Sequence, residues 1–133
     1  MTFTPDSRLL ISGSADHTIV VWRVADSFSR VQVLDGHRNK VNSVAASWDG
    51  RFVVSGGDDG TVRVWSTATW TEVHTLGGRG FALSVVMSAD SRHVLSSWGS
   101  PGMLTAGTVR IWDTAGRSRW PANSPNSRAT SGP

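Results

Sequence analysis

Between Gly36 and Trp65 the chain runs GHRNKVNSVAASWDGRFVVSGGDDGTVRVW. Val41, Ser43 and Ala45 alternate with Asn42, Val44 and Ala46, the period-two pattern of a half-buried strand. Asp49-Gly50 is a tight-turn pair that leads into a second strand, Arg51–Ser55. Asp58-Asp59-Gly60 turns the chain again into Thr61–Trp65, and Trp70–Leu76 supplies a fourth strand. The pattern predicts a four-stranded antiparallel meander, and no long stretch of the chain shows helical periodicity.

The same passage recurs on both sides. TPDSRLLISGSADHTIVVW ends at Trp22 and SADSRHVLSSWGSPGMLTAGTVRIW at Trp112, so the closing tryptophans stand 43 and 47 residues apart. A period in the forties means one supersecondary unit stacked on copies of itself. The first unit offers strands at Leu9–Gly13, Thr18–Trp22 and Val31–Leu34, with Met1–Thr4 left of an opening strand. The third offers Phe81–Met87, Arg92–Ser97 and Gly107–Trp112, and nothing after them reads as a closing strand. Units of about 1–34, 35–76 and 77–113 follow, with the first and last incomplete. Residues 114–133 turn rich in Ser, Pro, Asn and Ala. They are expected to be disordered, because so little apolar surface cannot offset ordering entropy. Trp120 is the one candidate anchor there.

Composition narrows the function classes. The chain has 133 residues and no cysteine, so disulfides and thiolate metal sites are excluded. It contains no apolar run of membrane-spanning length and no charged-then-apolar leader. A cytoplasmic setting is the default expectation, with a nuclear one as the alternative. The pI near 11.0 comes from arginine, which does not titrate in range. Residues 1–113 hold ten basic and ten acidic side chains, and the excess sits in Arg117, Arg119 and Arg128. Such a charge map gives no electrostatic footprint for specific nucleic-acid binding.

Gly36-His37, then strand, turn and strand, then Asp59 six residues before Trp65, resembles the WD-repeat family over residues 3–113. The resemblance is strongest in the second unit and weakest in the third. Only the third ends in a literal Trp112-Asp113 pair. The family implies an all-β fold: a partial β-propeller of four-stranded blades around a central channel. It also implies a hydrogen-bonded tetrad, carried over to His37, Ser55, Asp59 and Trp65 in the second unit. A buried indole N–H needs an acceptor, which a serine oxygen supplies. The serine in turn bonds the imidazole, and the carboxylate holds the other ring nitrogen. Ser12, Asp16 and Trp22 are the first unit's members, and Ser96 and Trp112 the third's. The third has Ala106 at the aspartate position and Arg79-Gly80 in place of Gly-His.

Ser, His and Asp in one unit also suggest a hydrolase. A catalytic serine must be exposed beside an oxyanion hole, whereas Ser55 is expected mid-strand without a Gly-x-Ser-x-Gly elbow. The structural tetrad is the preferred reading, and no catalytic residue is assigned. His17, His37, His74 and His93 have no ligand spacing, so no metal is expected. Gly56-Gly57 and Gly77-Gly78 lack the Lys-Ser or Lys-Thr that follows a phosphate cradle. No cofactor is implied.

The third unit carries six extra residues in its second turn, Trp98 to Ala106. In a propeller this turn shares a rim with the Gly-His loop. Trp98, Met103 and Leu104 either stand on that rim as apolar contacts for a partner, or fold inward over a unit without its tetrad. With them, Arg38, Asn39, Lys40 and Asp58 are the candidate partner-binding residues. Propellers typically have about four to eight blades, so unpaired faces here are expected to favour self-association through open sheet edges. The expected function is a non-enzymatic scaffold for protein or peptide partners. The alternatives are the regulatory part of a longer enzyme, kinase- or protease-like, or a degenerate fragment with no function of its own.

Overall fold

The computed structural model describes residues 1–77, 80–99, 108–114 and 118–120. The described residues include twelve strands: β1 (Thr2–Phe3), β2 (Leu9–Gly13), β3 (Thr18–Arg23), β4 (Ser29–Asp35), β5 (Val41–Ala46) and β6 (Phe52–Gly57) come first. Then follow β7 (Thr61–Ser66), β8 (Glu72–Gly77), β9 (Phe81–Met87), β10 (His93–Gly99), β11 (Thr108–Asp113) and β12 (Ser118–Trp120). They form three antiparallel sheets, β1-β2-β3-β4, β5-β6-β7-β8 and β9-β10-β11-β12. Among the described residues the one helical turn is a 3-10 turn at Val24–Asp26.

Each sheet has four strands: the second sequence unit supplies four strand signals, and the first and third supply three each and gain a short outer strand. The outermost strands are short: β1 has two residues and β12 three. β12 corrects the expectation that no closing strand follows Asp113. Ser118–Trp120 pairs with β11, Trp120 opposite Ile111 and Ser118 opposite Trp112. A three-residue strand has no alternation to read, and the neighbouring ladder fixes it. The third sheet therefore extends past residue 113. The expected disorder of the final residues, 121–133, lies outside the described residues.

β5 departs from simple alternation. A register shift between Val41 and Ser43 places a bulge there, and the buried positions become Val41 and Val44. A bulge adds one residue and rotates the side chains that follow it. Both valines thereby face the same seam.

The sheets stack face to face along two seams. In the first, Val53 and Trp65 of the second sheet join Ile11, Ile19, Val21 and Leu34 of the first. In the second, Val54, Val62 and Val64 meet Ala82, Val85, Val94, Trp98 and Trp112 of the third. Adjacent residues in a strand point to opposite faces, so Val53 and Val54 serve different seams. Each fully buried valine stabilises the stack by roughly 1.5–3 kcal/mol. The seam is tight at Gly56, where an added Cβ would lie 3.0 Å from Ala82 Cβ and 3.1 Å from Val85 Cγ1. Glycine lets the third sheet come this close without displacing either neighbour.

Candidate functional site

The richest polar cluster lies inside the second sheet. His37 sits in the loop before β5, Ser55 in β6, Asp59 in the β6–β7 turn and Trp65 in β7. Ser55 is fully buried, Trp65 is 3% exposed and His37 4%. Trp65 Nε1 donates to Ser55 Oγ at 2.9 Å. Ser55 Oγ lies 2.7 Å from His37 Nε2, and His37 Nδ1 lies 3.1 Å from both Asp59 oxygens. One tautomer satisfies all of these: Nδ1 carries the proton and donates to Asp59, while Nε2 accepts from the serine.

Electrostatics favour this neutral ring. Burial pushes the His37 pKa below 6.5, and the Asp59 carboxylate opposes that shift only in part. Burial raises Asp59, but bonds from the Arg38 amide, the Thr61 hydroxyl and the His37 ring outweigh it and hold the acid at about 2. Thr61 Oγ1 donates to Asp59 Oδ1 at 2.8 Å and Arg63 Nη2 stands 3.5 Å from Oδ2. Arg63 Nη1 also reaches Glu72 Oε1 at 2.7 Å. Thr61, Arg63 and Glu72 extend the tetrad outward. The Thr that follows Asp-x in the first two units was the available sequence signal for this extension.

The first sheet holds part of the same arrangement. Trp22 Nε1 donates to Ser12 Oγ at 3.0 Å. Asp16 accepts from the Thr18 hydroxyl at 2.6 Å and the Thr18 amide at 3.0 Å. The third sheet takes a different solution. Ser96 Oγ accepts from Trp112 Nε1 at 3.1 Å and from Trp98 Nε1 at 2.7 Å.

Trp98 is 1% exposed and is not a rim residue; of the two placements open to it, the structure takes the inward one. It stands two residues past Ser96, in the place of Gly57 two past Ser55. A Cβ at Gly57 would point to within 3.0 Å of His37 Nδ1. The Trp98 indole therefore grows from the backbone position that faces the histidine in the second sheet. It fills that space and bonds the same serine oxygen. Met103 and Leu104 lie outside the described residues, as does Ala106.

Arg38, Asn39 and Lys40 are exposed, and their loop is tied to the tetrad. The Arg38 amide donates to Asp59 Oδ2 at 3.0 Å and the Asp58 amide to the Lys40 carbonyl at 2.9 Å. Asn42 Nδ2 donates to Asp58 Oδ1 at 2.7 Å and to the Ala82 carbonyl at 3.0 Å, bridging two sheets. The structure thus brings four of the candidate contact residues onto one rim and removes Trp98 from it. Among the described residues, no three His, Asp or Glu side chains converge as metal ligands. No described helix is long and apolar enough to cross a membrane.

Stacked four-stranded blades, each with an indole bonded to a strand serine, define a β-propeller unit of the WD-repeat kind. Residues 1–23 and 28–66 match the family described as WD domain, G-beta repeat, which supports a partial WD-repeat propeller. It is 41% identical over 44 residues to the Denticleless protein homolog of Danio rerio, covering 33% of this chain and 7% of that protein. It is 46% identical over 50 residues to WD repeat and SOCS box-containing protein 1 of Homo sapiens, covering 37% of this chain and 12% of that one. The solved structure of U3-55K superposes with a TM-score of 0.71 at 28% identity, covering 83% of this chain and 32% of U3-55K. This chain is therefore much shorter than the proteins it is similar to.

Proposed function

We propose that these blades form a non-enzymatic scaffold that holds protein or peptide partners on the rim built by Arg38, Asn39, Lys40 and Asp58. The observation that carries this reading is the commitment of the Ser–His–Asp groups to structure. Ser55 is fully buried, and its oxygen is shared between an indole donor and an imidazole acceptor. A nucleophile needs access to substrate and an oxyanion site beside it, and a serine locked between two rings has neither. What the tetrad does instead is fix the loop outside it. The Asp59 carboxylate, which accepts from the Arg38 amide, and the backbone bond from Asp58 to Lys40 hold residues 38–40 in place, so a partner meets a preorganised edge. Preorganisation reduces the ordering cost of association.

The relatives support the same class. One is named for combining WD repeats with a SOCS box, a protein in which such blades accompany another module. The test is a triple substitution, Arg38→Ala with Asn39→Ala and Lys40→Ala, in the full chain expressed in cells. Quantitative affinity purification should show the loss of specific co-purifying proteins, with circular dichroism unchanged. An identical partner set at identical yield contradicts the assignment.

A further inference from the structure

Both seams inside the chain are built the same way. One side presents an aliphatic trio: the residue before the strand serine and those three and one before the closing tryptophan. The trio is Ile11, Ile19 and Val21 at the first seam and Val54, Val62 and Val64 at the second, all fully buried. The other side presents a closing tryptophan and the aliphatic residue paired opposite it. These are Trp65 with Val53, then Trp112 with Val94. Trio meets tryptophan both times.

Each half of this arrangement recurs once more without its complement. On the far face of the third sheet the trio is Leu95, Val109 and Ile111. Val109 is 45% exposed and the other two are partly exposed. Val86, paired with Leu95 on that face, is 52% exposed. On the far face of the first sheet Trp22 pairs with Leu10, and both are partly exposed. Phe3, opposite Leu10, is 53% exposed. Among the described residues, neither face has a sheet packed on it. Contiguous exposed apolar faces mark interaction surfaces.

A polar contact points the same way. Asp6-Ser7-Arg8, Asp49-Gly50-Arg51 and Asp90-Ser91-Arg92 are one turn in three units, and in each the arginine amide donates to the aspartate at 3.0 Å. The middle residue takes a left-handed φ, 60° at Ser7, 77° at Gly50 and 61° at Ser91, where glycine is the easier choice. Ser91 is buried, and its Oγ accepts from the Asp49 amide at 3.1 Å across the second seam. Ser7 repeats the residue and the conformation but is exposed.

We propose that two copies of this chain join head to tail, the third sheet of each seated on the first sheet of the other. Leu95, Val109 and Ile111 then cover Leu10 and Trp22, and the Asp90 amide donates to the Ser7 hydroxyl. The contact uses sheet faces and leaves the outer strands β4, β8 and β12 out. Head-to-tail contacts close into rings when the rotation fits. Three sheets from each copy make a ring within the range of about four to eight blades. Like-on-like pairing fits less well: two third-sheet faces bring no indole, and two first-sheet faces bring no trio.

The test is sedimentation equilibrium of the 133-residue chain at micromolar concentrations. A dimer of twice 14.3 kDa is expected. Leu10→Lys and Val109→Asp should each raise its dissociation constant roughly a hundredfold, because each sets a charge in an apolar seam, with circular dichroism unchanged. Mixing the two variants should restore dimers, since one seam then joins two unaltered faces. Ser7→Gly, which eases the backbone, should weaken the dimer roughly tenfold, one hydrogen bond being lost at each seam. A parent that stays at the monomer mass overturns the proposal and leaves both faces to the sheets of another polypeptide. A dimer that survives Leu10→Lys or Val109→Asp overturns it in favour of edge or like-on-like pairing. Variants of native strand content that stay monomeric when mixed, or an unchanged constant in Ser7→Gly, also overturn it.

Discussion

Trp98 Nε1 donates to Ser96 Oγ at 2.7 Å, and Ser96 is the counterpart of the serine that bonds His37 in the second blade. The third blade, which has no Gly-His pair, thus restores a bonded core from its own strand β10. If the indole both fills the space and bonds the serine, two substitutions should separate the effects. Trp98→Ala is expected to cost about 3–5 kcal/mol, as for a large aromatic lost from a core. Trp98→Phe keeps most of the volume and loses the donor, at about 0.5–1.5 kcal/mol. Urea unfolding of the three proteins measures both.

The bond between Trp65 and Ser55 should be a coupled contribution. Ser55→Ala and Trp65→Phe each leave buried partners unsatisfied, at about 1–3 kcal/mol apiece. Because both remove the same bond, the double variant should lose less than the sum. A coupling of roughly 0.5–3 kcal/mol in a double-mutant cycle is the expected result.

Acid should destabilise the blades in two windows. His37 is lowered from its ordinary value, so an unfolded chain binds a proton more readily than the folded one between those two values. Its contribution is complete above about pH 6.5 and disappears as the pH falls through the lowered folded value. Asp59, held at about 2 against an ordinary 3.8, contributes above the ordinary value and loses that contribution as the pH drops through about 2. Asp6, Asp16, Asp49, Glu72 and Asp90 are lowered as well and share the more acidic window. Melting temperatures between pH 7 and pH 5 therefore isolate the histidine, and His37→Gln should flatten that part of the curve.

Close packing at the second seam gives a steric prediction. Gly56→Ala brings a methyl to 3.0 Å from Ala82 Cβ, and overpacking of this kind costs about 1–3 kcal/mol. Gly77→Ala meets nothing within 4 Å and should stay within about 0.5 kcal/mol of the parent. Differential scanning calorimetry of the pair decides whether the seam is as tight as it looks.

Much of this architecture was legible in the residues. The Trp22, Trp65 and Trp112 spacing, with a serine ten residues before the first two, locates the second and third strands of each blade, and Gly36-His37 with Asp59 locates the loops that meet. Other parts were hidden for identifiable reasons. β12 is three residues in a Ser-rich stretch, fixed by β11 and not by its own pattern. Trp98 reads as the start of an inserted loop, because the register shift at Ser97–Trp98 that accompanies its burial leaves no mark in the sequence.

The central claim is that the Ser–His–Asp group is a buried structural chain, closed to substrate. Long-range proton–nitrogen NMR of the His37 ring measures this directly. The account predicts a protonated Nδ1 with a slowly exchanging hydrogen, an unprotonated Nε2, and no titration between pH 8 and pH 6.5. A His37 ring that titrates near 6.5 with rapidly exchanging protons, as an exposed imidazole does, contradicts it.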